Sequence, residues 1–113
     1  MHERSLVGAL VRQVHRLQTE QGAARVLSIC VSIGEFSGVE PELFCSAFEE
    51  LIDGSPLRGA QLELRETPLE ARCEACANEF LVVKFQFLCP HCGSSQVNVL
   101  RGEGLVLESV TLE

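Results

Sequence analysis

The sequence predicts an α+β fold: two helices packed on a small three-stranded mixed sheet, interrupted by an inserted subdomain stapled by a metal ion. Three observations lead there. Two stretches carry apolar residues at helical spacing. Three stretches alternate apolar with polar residues. Four of the six cysteines fall into two C-x2-C pairs with twelve residues between them. The 113 residues suffice for one compact domain carrying a small insertion.

Residues 4–21 read as an amphipathic helix, because Leu6, Val7, Leu10, Val11, Val14 and Leu17 share one face and Gly22 supplies a left-handed stop. Residues 25–34 alternate, with Leu27, Ile29, Val31 and Ile33 on a buried face and Ser28, Cys30 and Ser32 on a mildly polar one. Gly34 to Gly38 reads as a loop. A second helix starts at Pro41, where the fixed φ of proline suits the first turn and Glu40 and Glu42 face the positive end of the dipole. Phe44, Ala47, Phe48, Leu51 and Ile52 form its stripe, and Gly54 ends it. Residues 61–67 read as a strand weakened at its end by Pro68. Residues 105–112 form the last strand, with a phase shift near Glu108 and Ser109 that predicts a bulge. The strand–helix–strand unit places its two strands parallel, and the last strand returns antiparallel. The expected division is therefore residues 1–71 plus 97–113 as the α+β domain, with residues 72–96 as the inserted ribbon.

The charge balance narrows the function. Nine Lys and Arg against sixteen Asp and Glu give −7 at pH 7. Phosphate binding runs on clustered cations, and the pI near 4.9 excludes it, so no nucleic-acid partner is expected. No apolar run reaches the roughly 18 residues of a membrane span, so no membrane partner is expected. Glu3, Arg4, Arg12 and Arg16 break up any secretory leader, and the expected compartment is the reducing cytoplasm.

In that compartment Cys73-Glu-Ala-Cys76 and Cys89-Pro-His-Cys92 read as four thiolates around one ion rather than as two disulfides. Each C-x2-C turn brings two sulfurs onto one centre, while knuckle N–H groups stabilise their charge. Zinc is the default for such a site, and iron suits the same S4 geometry. A ribbon of this size needs its ion in order to fold. Cys30 and Cys45 have no such spacing and read as small buried apolar residues. Four thiolates leave the metal no open position, and no nucleophile–base pair or phosphate loop is visible, so the chain does not read as an enzyme. A red iron electron carrier and a zinc-ribbon adaptor are the competing classes. The adaptor requires a basic face that this composition lacks.

The chain opens Met1-His2-Glu3 and enters helix at once. A terminal amine, backbone amide nitrogens and an imidazole can surround one ion in a plane. That arrangement suits Ni(II) or Cu(II) and disfavours Zn(II) and Mg(II). Glu3 offers either its carboxylate or its amide nitrogen. His15 and His91 read as surface residues.

The Met1-His2-Glu3 start, the segment Ile33-Gly-Glu-Phe-Ser-Gly-Val-Glu-Pro-Glu42 and the knuckle Phe87-Leu-Cys-Pro-His-Cys-Gly-Ser94 together resemble the HypA/HybF family of hydrogenase nickel-incorporation proteins. The resemblance spans essentially the whole chain, and Phe36 stands where leucine is more usual. It implies a nickel metallochaperone with a zinc-ribbon-like subdomain. Nickel would be held by His2 with the Met1 amine and Glu3, and structural zinc by Cys73, Cys76, Cys89 and Cys92. The implied partners are a HypB-like maturation GTPase and the [NiFe] hydrogenase large subunit. The sequence leaves the oligomeric state open, a homodimer included.

Overall fold

The computed structural model of the chain describes residues 2–113. In chain order the elements are α1 (Glu3–Gln21), β1 (Val26–Gly34), α2 (Pro41–Ile52), β2 (Gln61–Thr67), β3 (Glu70–Cys73), β4 (Glu79–Leu81), β5 (Val97–Arg101) and β6 (Leu105–Leu112). They build two three-stranded sheets, ordered β2-β1-β6 and β4-β3-β5. In the first sheet, Glu113 N–H donates to Arg25 O at 3.0 Å and Gly34 N–H to Gly104 O at 2.9 Å, so β1 and β6 run antiparallel. Glu35 N–H reaches Thr67 O at 2.8 Å, which sets the exits of β1 and β2 side by side, as a crossover through α2 requires. The fold is the expected α+β arrangement with a mixed sheet.

The chain divides into two compact units. One comprises Met1–Ser32, Val39–Arg65 and Val106–Glu113; the other comprises Ile33–Gly38 and Glu66–Leu105. The second unit takes in residues on both sides of 72–96.

In the first unit, α1 buries Val7, Leu10 and Val14, and α2 buries Phe44, Ala47, Phe48 and Ile52. These stripes and Ile29 and Val31 of β1 make the core. Helix α1 stops at Gly22, whose φ of 62° lets its N–H turn back to Thr19 O at 3.2 Å while Ala23 N–H bonds Gln18 O at 3.0 Å. Helix α2 ends at Ile52, where Ser55 Oγ donates to Ile52 O at 2.8 Å. Leu57, in the turn beyond, is fully buried, although no periodicity marks it.

Strand β1 departs from the expected pattern. Cys30 and Ser32 are as buried as the apolar face, whereas Leu27 near the strand's start is exposed. The reason is position. β1 is the central strand, so side chains of its neighbours cover its second face, and Ser32 Oγ donates to Glu108 Oε1 of β6 at 2.9 Å. Along β6 the alternation of burial slips by one residue at Glu108–Ser109, where the residue pattern shifts phase.

The second unit has an apolar core of its own. Leu69, Ala71 and Val82 are buried, with Phe80, Phe87, Val97 and Val99 packed against them. Strand β3 pairs antiparallel with both β4 and β5. The segment Gly34 to Gly38 is tied on both sides: Phe36 N–H donates to Gly102 O at 2.8 Å, and Leu69 N–H points at Glu35 Oε2 at 3.5 Å. Glycine is required at Gly34, because a Cβ there would meet Gly102 O at 2.4 Å.

Candidate metal centre

Cys73 closes β3, and the chain turns at once. Ala77 N–H donates to Cys73 O at 2.9 Å, and Cys73 N–H to Asn78 O at 2.9 Å. The second knuckle repeats this pattern, with Gly93 N–H to Cys89 O at 2.8 Å and Cys89 N–H to Ser94 O at 2.9 Å. The two turns bring all four sulfurs within 4.8 Å of one another. Sγ of Cys73 lies 3.5 Å from that of Cys92, and Sγ of Cys76 lies 3.5 Å from that of Cys89, so each close pair joins one knuckle to the other. Sulfurs placed ~2.3 Å from a tetrahedral ion are about 3.8 Å apart. The cage fits a tetrahedral thiolate metal.

The surroundings suit thiolate charge. His91 N–H points at Cys89 Sγ at 3.4 Å, and Asn78 Nδ2 donates to Cys76 Sγ at 3.3 Å. Asn78 was not singled out from the sequence; an amide side chain two residues after a ligand cysteine is the signal that could have found it. Two of the sulfurs are driven in opposite directions. The backbone N–H of Asn78, aided by hydrogen bonds from neighbouring sulfurs, draws Cys76 down to about 6. Cys92 is pushed up to about 12: the N–H of Ser94 favours its thiolate, but the crowding of Cys73, Cys76 and Cys89 outweighs that. A divalent ion removes this conflict and displaces the protons, so metal affinity falls in acid.

Both knuckles need a left-handed residue directly after their second cysteine. Gly93 fills it at φ 76°, but in the first knuckle Ala77 takes φ 65°. Ala77→Gly is therefore expected to stabilise the metal-loaded chain by about 1 kcal/mol, read as a higher melting temperature. A lower one contradicts this reading of the knuckle.

The N-terminal candidates lie in the first unit. His2 is exposed and sits at the N-cap of α1, with no side-chain capping bond. Its carbonyl accepts the first helical hydrogen bond, from Leu6 N–H at 3.1 Å. Glu3 is buried, at 6% exposure. Its Oε2 accepts the N–H of Glu40 at 3.1 Å, so the first residue of α1 caps the start of α2. That bond holds the Glu3 carboxyl below its ordinary value. A groove of about 400 Å³ runs past His2 and Glu3 between the two helices, bordered by Leu43, Ser46 and Glu50. The expected amine ligand, Met1, lies outside the described residues. His15 and His91 are exposed. Cys30 is buried and Cys45 partly so, and burial raises the Cys45 thiol.

Comparison with known proteins agrees over the full length. The family model described as hydrogenase/urease nickel incorporation, metallochaperone, matches residues 1–112. The hydrogenase maturation factor HypA of Nitrosospira multiformis is 39% identical over 112 residues, covering 99% of this chain and 97% of that one. The HypA of Aquifex aeolicus is 34% identical over 113 residues, covering 100% and 98%. The solution structure of the Ni metallochaperone HypA from Helicobacter pylori superposes with a TM-score of 0.75 at 28% identity, covering 99% of this chain and 97% of that one. These likenesses concern maturation factors rather than catalysts, and they run from the helix that opens at His2 through both cysteine knuckles to the last strand. The chain belongs to the HypA family of hydrogenase/urease nickel-incorporation metallochaperones.

Proposed function

We propose that this chain binds Ni(II) at its N-terminus, on the His2 imidazole, the Met1 amine and Glu3, and delivers it to the [NiFe] hydrogenase large subunit. In this reading it works in the cytoplasm with a HypB-like GTPase. Cys73, Cys76, Cys89 and Cys92 hold structural zinc that keeps the second unit folded and able to dock partners. A homodimer fits the reading but is not needed for it.

The observation that carries the nickel assignment is the place of His2 at the start of α1. The first four N–H groups of a helix have no carbonyl partner within it. The amide nitrogens at this end can lose their protons and bind metal without breaking a helical hydrogen bond. The positive end of the helix dipole stabilises the amidate that forms. The Glu3 carboxylate is occupied by Glu40 N–H, which favours its backbone nitrogen as the donor. Imidazole, amine and amide nitrogens in a plane suit Ni(II). These ligands sit on one chain end, so an acceptor can replace them one at a time. Cu(II) binds such a set more tightly by the Irving–Williams order, so discrimination for nickel lies with the partners and with metal supply. Ligand protons leave as the metal enters, so nickel affinity rises with pH.

The test is to block the amine. Acetylating the N-terminus, or adding residues ahead of Met1, is expected to abolish the planar low-spin nickel spectrum while zinc content is unchanged. A blocked chain that keeps that spectrum overturns the site.

A further inference from the structure

Metal carriage does not account for a cluster of exposed apolar residues in the second unit. Phe36, Leu81, Val83, Phe85 and Leu88 are each half exposed or more, between 50% and 63%. The Phe36 ring sits 5.4 Å from that of Phe85 and 6.3 Å edge-on from that of Phe87, so the aromatic part is one patch. Contiguous exposed apolar surface is uncommon on a chain with no use for it.

The backbone beneath the patch is built to present it. Gln86 N–H donates to Val83 O at 3.1 Å, closing a four-residue turn. Its central residues, Lys84 and Phe85, take φ of 54° and 56°. Such a turn favours Asn-Gly, yet here it carries a long cation and a large ring, both pointed to solvent. Strain of this kind persists where the projecting side chains have a use.

Charge indicates the occupant. Residues 80–100 contain Lys84 and no Asp or Glu, although the chain holds sixteen acidic residues elsewhere. Among the described residues Lys84 forms no ion pair. The acids nearest the patch residues along the chain are Glu35, which precedes Phe36, and Glu79, two residues before Leu81. A second copy of the chain paired through a twofold would set Lys84 against its own image. One lysine in residues 80–100 falls short of the basic cluster that holds a protein on an anionic bilayer. A protein surface with an apolar stretch bordered by carboxylates complements the patch on both counts.

We propose that the tip formed by Phe36, Leu81, Val83, Phe85 and Leu88 around Lys84 docks the nickel-receiving protein through an apolar stretch of that protein flanked by carboxylates. The proposal rests on the delivery reading above for the existence of a receiver. It assigns Phe85 and Val83 as the apolar anchors and Lys84 as the charge that selects and orients the partner.

The test titrates purified hydrogenase large-subunit precursor into the full-length, zinc-loaded chain. Val83→Ser with Phe85→Asn removes both anchors, and asparagine tolerates the left-handed backbone at residue 85. This variant is expected to bind the precursor at least about 10-fold more weakly, with nickel and zinc contents unchanged. Lys84→Gln is expected to weaken binding severalfold and to lose the salt dependence seen with the parent chain. Overturning results are variants that bind as the parent does, or a parent chain that does not bind the precursor. Two others reassign the tip and equally overturn the proposal. One is binding of the parent, but not the double variant, to phosphatidylserine vesicles; the other is self-association in sedimentation that the double variant abolishes. Nickel dialysis of the parent and of His2→Gln tests the carrier reading separately, so a failed docking surface is distinguishable from a failed nickel site.

Discussion

His2→Gln is expected to weaken nickel binding by about 100-fold or more, while zinc content, helical signal and melting temperature stay at the parent values. The loss is large because the imidazole is the one side-chain nitrogen in a planar set, and a glutamine amide is a poor ligand for Ni(II). The fold is spared because His2 is exposed and its side chain makes no capping bond. Its structural role is carried by the backbone carbonyl that accepts Leu6 N–H, which any residue supplies. Equilibrium dialysis with nickel, paired with zinc analysis of the same samples, reads both halves. Unchanged nickel affinity would remove the nickel site from the N-terminus.

Cys73→Ser is expected to have the largest effect on stability, and to confine it to one unit. Cys73 is fully buried, and its sulfur closes one of the two links between the knuckles. A structural zinc site contributes roughly 10–16 kcal/mol apparent binding free energy. Against that, the second unit's own core is small: Ile33, Leu69, Ala71 and Val82 are buried, and Phe80, Phe87, Val97 and Val99 only partly so. Loss of the ion should therefore unfold residues 66–105 as a body. The first unit, with Phe44, Phe48, Leu57 and both helical stripes buried, should stand. Amide exchange is expected to lose protection across Glu66–Leu105 and to keep it in α1 and α2. Protection lost evenly over the chain would show that the metal holds the whole fold rather than one unit of it.

The extent of that unit illustrates what could be read from residues alone. Both helices and the strands β1, β2 and β6 were legible because each is long enough to show its period. Val7, Leu10 and Val14 repeat at helical spacing, and Leu62 and Leu64 alternate with charged neighbours. The four cysteines were legible because tetrahedral coordination imposes a spacing. The second sheet was not, because strands of three to five residues carry too few positions for a period, and Leu69 and Ala71 look like linker until Val82 N–H bonds Leu69 O and β5 pairs with Ala71. Leu57 has no periodic neighbours for the same reason. The burial of Cys30 and Ser32 depends on what flanks β1 in the sheet, and strand order is not a local property.

The proposed N-terminal site shows the same division. Its donor atoms are adjacent in sequence and could be named from it. The bond from Glu40 N–H to Glu3 joins residues 37 positions apart and is seen only in three dimensions. It turns Glu3 from a free carboxylate into the hydrogen-bond partner of Glu40, the N-cap of α2, and so changes which of its atoms the proposed nickel site draws on. The exposed tip at Lys84 and Phe85 likewise depends on a left-handed turn that the residue types do not announce.

The central claim is that two chemically distinct metal sites share this chain, a nitrogen-rich one at its start and a sulfur cage at the knuckles. X-ray absorption at the nickel and zinc edges of one untagged sample loaded with both ions tests it directly. The expected result is nickel with only nitrogen and oxygen neighbours in planar geometry, and zinc with four sulfurs near ~2.3 Å. Sulfur in the nickel shell would contradict it.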